Sequence, residues 1–203
     1  MAIESGRVSA PLLGVLDLVG RAFENEVDDA FLQSVRDYVG APITGLVPEA
    51  QKHAERGMHQ LDSALAAYAK ADDPKLWRDY LDASYAELFL GVSPQASEPV
   101  ESCYMHDERV LYAAEFFQVK ELMEQHGFQP PVNFHEPVDH IAMEWRFLAF
   151  LLRADRIDAA QDFKAAHMDT WMGRALTMIV DTDDVGFYTG IANLARAALI
   201  ELS

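Results

Sequence analysis

Apolar residues recur every three or four positions along nearly the whole chain of 203 residues, and this spacing constrains the fold most strongly. The segment 48–71, for example, carries Met58, Leu61, Leu65 and Tyr68 at helical spacing. The same pattern predicts further helices over approximately 11–26, 28–39, 74–90, 108–126, 137–152, 155–180 and 184–202. No stretch alternates between apolar and polar residues as a half-buried strand does. The sequence therefore predicts an all-α fold, a compact multi-helix bundle.

Residues 91–104 form the one long segment without periodicity, and they contain two prolines, a glycine and three serines. A loop of this length inside a compact protein is often functional or a hinge. We therefore expect a single domain over residues 1–203, with two helical lobes at approximately 1–90 and 105–203 joined by a hinge loop at 91–104. Such a hinge would allow the lobes to exchange between protomers, so both a monomer and a domain-swapped dimer are compatible with the sequence.

The chain is strongly acidic, with 33 Asp and Glu against 16 Lys and Arg and a formal net charge of −17. This balance argues against nucleic acid as a partner, because a nucleic-acid binder needs a basic face. It also argues against docking on an anionic membrane surface. A cationic partner is compatible with the charge, because an acidic surface speeds the encounter with basic segments. Solubility alone is the other explanation for so acidic a chain.

Cys103 is the only cysteine, so an intramolecular disulfide and a cysteine-based zinc site are both excluded. The N-terminal residues lack the basic region and apolar run of a secretory signal. No apolar run approaches the roughly 20 residues that span a bilayer. We therefore expect a soluble cytoplasmic protein without stable membrane insertion.

The segment from His135 to His140, which leads directly into a very apolar helix, is the most informative local pattern. Pro137 suits the first helical position, which would place Glu136 near the cap and Asp139 in the first turn, where negative charge is favoured. Glu136, His140 and Glu144 are then four residues apart on roughly one helical face. A well-capped core helix with a hydrogen-bonded histidine is the simpler interpretation of the same residues.

Enzymatic and metal-binding alternatives find little support in the motifs. His135 and His140 are five residues apart, which is not the spacing of a His-Glu-x-x-His zinc site, and Pro137 lies between them. A His/Glu metal-binding protein stays an alternative, and its possible ligands are His135, Glu136, His140, Glu144 and His167. The chain carries neither Gly-x-x-x-x-Gly-Lys nor Gly-x-Gly-x-x-Gly, the glycine-rich motifs that bind nucleotide phosphates. We expect neither catalysis nor a cofactor.

Four segments lie within residues 77–171, roughly half of the chain, and form one set. The segments are Tyr85-x-x-Leu88-Phe89, Glu101-Ser102-x-Tyr104, Glu136-Pro137-x-Asp139-His140 and Phe163-x-x-x-His167-x-x-x-Trp171. Together, and in this order, they resemble the TorD/DmsD/NarJ family of chaperones. The resemblance implies an all-helical chaperone for a molybdenum-containing oxidoreductase. By the same resemblance, it would bind the twin-arginine signal peptide of the precursor in the cytoplasm and hold it back from export until cofactor insertion.

A receptor for such a leader needs carboxylates for two guanidinium groups beside an apolar groove. Glu101, Glu136 and Asp139 are the candidate carboxylates. Pro137 and His140 of the same motif are also candidate residues of the site, and His140 could orient it. The candidates for the apolar wall are Trp77, Leu88, Phe89 and Tyr104. Each has a purely structural alternative, namely helix capping, a solvated loop acid or ordinary core packing. A helical protein-interaction adaptor that binds no signal peptide is the alternative function.

Overall fold

A computed structural model describes residues 3–4, 7–41, 43–90 and 99–203. The helices of this part of the chain are α1 (Ala10–Glu24), α2 (Asp29–Val39), α3 (Pro48–Lys70), α4 (Pro74–Phe89), α5 (Glu101–Met105), α6 (Ala114–His126), α7 (Ile141–Arg153), α8 (Ile157–Phe163), α9 (Asp169–Thr182) and α10 (Phe187–Glu201). A π-helical turn, Lys164–Met168, joins α8 to α9 without a break. The all-α prediction is confirmed.

Helix starts follow local capping chemistry. Ser9 accepts a hydrogen bond from the backbone N–H of Leu12 at the start of α1, and Asp28 accepts one from Phe31 at the start of α2. Asp73 caps α4, which has proline at its first turn as the sequence predicts. Gly127 ends α6 in the left-handed conformation, at a φ of 74°.

The core lies around α7 and α10, in which nearly every residue is buried. Helix α10 packs against α3, α1 and α9, and α1 also packs against α7. Helices on both sides of the predicted hinge are therefore in direct contact. Residues 91–98, which make up most of that hinge, lie outside the described residues.

Three boundaries differ from the sequence predictions. Residues 101–105 of the predicted irregular segment form α5, and the helix expected from about residue 108 begins at Ala114. The helix expected at Pro137 begins at Ile141, with His140 as its N-cap. Pro137, Glu136 and Asp139 are therefore not in the first helical turn, and the shared face of Glu136, His140 and Glu144 does not form.

The N-terminal region also contains two strands that the sequence pattern did not predict. Ile3–Glu4 (β1) and Arg7–Val8 (β2) pair in antiparallel fashion. These strands have two residues each, which is too short for an alternating pattern to be recognised in the sequence. Among the described residues, no helix is both long and apolar enough to cross a membrane.

Candidate functional site

Two of the motif segments pair with each other through their backbones. The Glu101 N–H donates to the Asp139 carbonyl at 2.9 Å, and the Ile141 N–H donates to the Pro99 carbonyl at 2.8 Å. Between these bonds, Val100 and His140 form an isolated antiparallel bridge. This pairing holds His140 in an extended conformation, which explains why α7 begins only at Ile141.

Asp139 is fully buried beneath this pairing. Its Oδ2 atom accepts hydrogen bonds from the Ser102 backbone N–H at 3.0 Å and from the Ser102 hydroxyl at 2.5 Å. Its Oδ1 atom has no hydrogen-bond partner among the described residues. Burial raises the pKa of Asp139, and the two bonds from Ser102 act in the opposite direction.

His140 caps α7 with its ring. Its Nδ1 atom accepts from the Ala142 N–H at 3.2 Å, which fixes the proton on the other ring nitrogen. Burial lowers the pKa of His140 to about 3, because the charged ring would lose its hydration. The ring is therefore neutral near neutral pH and contributes no positive charge to its surroundings.

Glu101 and Glu144 belong to an interior polar network that also includes the later motif. Glu101 Oε2 lies 2.9 Å from His167 Nδ1, and Trp171 Nε1 donates to Glu144 Oε2 at 3.1 Å. Burial raises the pKa of Glu144, and the neighbouring charge of Glu101 raises it further. Buried polar groups of this kind are compatible with the fold only when they are bonded or neutral.

An open cavity of about 690 Å³ lies beside the paired segments. The end of α1, the linker between α1 and α2, one face of α4 and the segment 133–140 form its walls. Tyr85, Phe89 and Phe134 supply aromatic surface, with the rings of Tyr85 and Phe89 5.1 Å apart. The cavity therefore combines an apolar wall with a rim of polar and charged side chains.

The basic groups of the cavity are already engaged. Arg21 pairs with Asp28 at 2.9 Å, and Arg78 pairs with Asp29 and also donates to the Val27 carbonyl at 2.8 Å. These contacts attach both guanidinium groups to the linker between α1 and α2.

Three carboxylates in the cavity have no such partner. Glu26, Asp82 and Glu136 make no ion pair or hydrogen bond through their side chains to any residue that the structure describes. Glu24, another acidic residue of the wall, pairs with Arg146. The unengaged charge of the cavity is therefore negative, which suits a cationic ligand with an apolar part.

The structure brings together only some of the residues proposed from the sequence. Phe89, Glu136 and His140 line the cavity. Leu88, Pro137 and Asp139 are buried next to these lining residues in the chain.

The other proposed residues lie elsewhere. Trp77 packs against Tyr68, with ring centroids 4.7 Å apart, and Tyr104 packs against Trp171, with centroids 5.1 Å apart. Glu101 is buried and contacts His167, so it is not the solvated loop acid of the simpler interpretation. Of the three candidate carboxylates, only Glu136 is exposed.

Asp82, Tyr85, Glu26 and Phe134 were missed by the sequence analysis. A signal for two of them exists, because Asp82, Tyr85 and Phe89 have the i, i+3, i+7 spacing of one helical face. Glu26 and Phe134 lie outside helices, and no local pattern places them beside α4. Within the described residues, no group of three or more His, Cys, Asp or Glu side chains is arranged to hold a metal ion.

Comparison with known proteins identifies the family. The family model described as nitrate reductase delta subunit matches residues 48–177, which is well over half of the chain. The chain belongs to this family. The matched residues run from α3 into α9 and include the paired motif segments and the α4 wall of the cavity. The family resemblance inferred from the four motifs is thereby confirmed.

Curated relatives of this protein carry the name chaperone protein TorD. The proteins of that name from Escherichia coli O139:H28 and Shigella dysenteriae serotype 1 are each 25% identical to it over 184 residues, covering 87% of this chain and 86% of the relative. The one from Shewanella oneidensis is 30% identical over 122 residues, or 58% of this chain and 56% of the relative.

Proposed function

We propose that this protein is a cytoplasmic chaperone for the maturation of a molybdenum-cofactor oxidoreductase. It binds the twin-arginine signal peptide of the enzyme precursor and holds the precursor back from export until the cofactor is inserted. Membership of the nitrate reductase delta subunit family and relatives named as chaperones support the chaperone role. The leader-binding step rests on the geometry of the cavity.

One observation carries this step, namely that Glu26, Asp82 and Glu136 converge on a cavity with an aromatic wall and have no ion-pair partner among the described residues. Guanidinium groups form charge-assisted, often bidentate hydrogen bonds with carboxylates. The apolar part of the leader would contact Tyr85, Phe89 and Phe134. The net charge of −17 would speed the encounter with a basic peptide.

Isothermal titration of the full chain with synthetic twin-arginine leaders from the host's molybdoenzymes tests this proposal. Each leader is compared with a version in which both arginines are lysine. We expect roughly micromolar binding, about −8 kcal/mol, to one leader. The Lys-Lys version should bind more weakly, because lysine cannot form the bidentate contact.

Removing one carboxylate from the cavity should weaken binding of that leader. For Glu136→Gln and Asp82→Asn we expect a loss of roughly three- to tenfold. Glu87→Gln is the matched control, because Glu87 is exposed on α4, lies outside the cavity wall and carries the same charge. A folded protein that binds no leader would overturn this proposal and favour an adaptor or recognition of the mature enzyme.

A further inference from the structure

We propose that Asp139 is a positioning residue for leader binding rather than a ligand of the leader arginines. Its carboxylate and Ser102 form a clamp that holds residues 99–102 against residues 139–141, and this clamp places Glu136 and His140 at the cavity wall. The inference rests on the proposed function of the cavity. It assigns different roles to two acidic residues that are three positions apart in one motif.

Burial separates the Asp139 carboxylate from the cavity. Asp139 and Ser102 are both 0% exposed, and neither lines the cavity wall. The Oδ2 atom of Asp139 is occupied by two hydrogen bonds from Ser102. A guanidinium group in the cavity can contact Glu136 directly, whereas contact with Asp139 would require the paired segments to separate.

The clamp sits at one end of the backbone pairing between the two segments. It lies next to the bond from the Glu101 N–H to the Asp139 carbonyl, and the bond from the Ile141 N–H to the Pro99 carbonyl closes the other end of the pairing. The bonds between the Asp139 side chain and Ser102 lie beside this pairing and connect residues 37 positions apart. Loss of these bonds would weaken the pairing without removing any group from the cavity wall.

The turn that precedes α7 transmits this restraint to the wall. The His140 N–H donates to the Pro137 carbonyl at 3.1 Å, which fixes the turn between Pro137 and His140. Glu136 directly precedes this turn, and His140 ends the turn as the N-cap of α7. Both cavity residues therefore depend on the position of Asp139.

The clamp requires a hydrogen-bond acceptor at residue 139 but does not require a negative charge there. Asparagine keeps an acceptor oxygen for Ser102, and its amide replaces the Oδ1 atom that has no hydrogen-bond partner among the described residues. Direct pairing with arginine, in contrast, depends on the charge. Substitution of the two acidic residues by their amides therefore distinguishes the two roles.

The test is titration of the full chain with its twin-arginine leader at low and high salt, for wild type and four variants. Asp139→Asn should bind within about twofold of wild type, whereas Asp139→Ala and Ser102→Ala should lose roughly three- to tenfold, as expected for a lost buried hydrogen bond. The salt dependence of affinity should be unchanged in all three variants. Glu136→Gln should reduce the salt dependence, because it removes a charge that is screened in solution.

Two results of this titration would overturn the inference. One is a weakened Asp139→Asn with reduced salt dependence, as expected for a charge that contacts the leader. The other is a Ser102→Ala variant with wild-type affinity. The outcome depends on Asp139→Asn and Ser102→Ala, so the test stays valid if the Asp139→Ala variant fails to fold.

Hydrogen exchange gives a measurement of the clamp that needs no leader. Faster exchange of the backbone amides of residues 101, 102 and 141 is expected in Ser102→Ala and not in Asp139→Asn, with α10 unchanged in both. Unchanged exchange in Ser102→Ala would overturn the clamp. If the wild type binds no leader but the two variants show the expected exchange, the proposed function of the cavity is overturned and the clamp is retained.

Discussion

Burial decides what each titratable side chain of the motif segments can do. Glu136 is exposed and carries a charge into the cavity, whereas Asp139 and Glu144 are inside the protein. Burial raises the pKa values of these two carboxyls and lowers the pKa of His140. His140 is therefore neutral in the folded protein but ionises near its ordinary pKa of about 6.5 when the chain unfolds.

The low pKa of His140 predicts a loss of stability in acid. The unfolded state binds a proton at His140 as the pH falls below about 6.5, and the folded state does so only near pH 3. Between these values the free energy of unfolding decreases by up to about 1.4 kcal/mol for each pH unit because of this residue.

The variant His140→Asn isolates this contribution, because asparagine also caps helices and does not titrate. Urea unfolding at pH 7.5 and pH 5 should show that the stability advantage of wild type over the variant shrinks by about 2 kcal/mol at the lower pH. The raised pKa values of Asp139 and Glu144 stabilise the folded state as the pH falls. Both residues are present in both proteins, so their contributions cancel in the comparison. An advantage that is equal at both pH values would contradict the neutral, buried ring.

Close contact between helices, rather than helix propensity, decides where glycine is needed in α3 and α10. A Cβ atom at Gly57 would lie 2.7 Å from the carbonyl oxygen of Gly190. A Cβ atom at Gly190 would lie 2.7 Å from Leu61 Cγ. The two helices therefore approach each other through a pair of glycines, and this contact joins the two halves of the chain.

The variant Gly57→Ala should destabilise the fold despite the better helix propensity of alanine. Overpacking a close contact costs about 1–3 kcal/mol, which is set against a gain of about 1 kcal/mol in propensity. Because the added Cβ would meet a backbone oxygen, we expect a net decrease of up to about 2 kcal/mol in the free energy of unfolding, measured by urea denaturation.

Gly173 in α9 provides the matched control, because a Cβ built there has no atom within 4 Å apart from its chain neighbours and the adjacent backbone of its own helix. Gly173→Ala should raise stability by about 0.5–1 kcal/mol. If both alanine variants were stabilised, α3 and α10 would not be in close contact in solution.

At the scale of the whole molecule, the two halves of the chain stabilise each other. Helix α10 packs against α3, and α1 packs against α7, so each contact joins a helix before residue 91 to one after residue 98. Neither half can keep this core without the complementary half, which either its own chain or a second copy can supply. Exchange of halves between two protomers would therefore preserve all of these contacts.

A dimer formed by such exchange should interconvert slowly with the monomer. Separation requires the α3–α10 and α1–α7 contacts to break first. The activation barrier of exchange therefore approaches that of unfolding. Light scattering after size separation should detect both species when the protein is refolded at high concentration, and dilution at neutral pH should leave the dimer intact for hours. A monomeric mass at every concentration would contradict the exchange.

The sequence by itself determined the helical class, most helix boundaries and the family. Helical spacing, capping residues such as Asp28 and Asp73, and the proline at the start of α4 act within a few residues and can be recognised locally. The four motifs were sufficient to predict the family. Of the nine residues that the sequence proposed for one site, Phe89, Glu136 and His140 line the cavity, and their binding role stays a prediction.

Only the tertiary structure decided which acidic residues are exposed and where α7 begins. Ser102 and Asp139 are 37 residues apart, and Glu101 and His167 are 66 apart, so no local pattern could predict these bonds. The backbone pairing of residues 99–101 with residues 139–141 overrides the preference of Pro137 for a first helical turn. Asp82 and Glu26 become neighbours of Glu136 only when α4 and the linker after α1 pack beside that pairing, because burial and proximity depend on the whole fold.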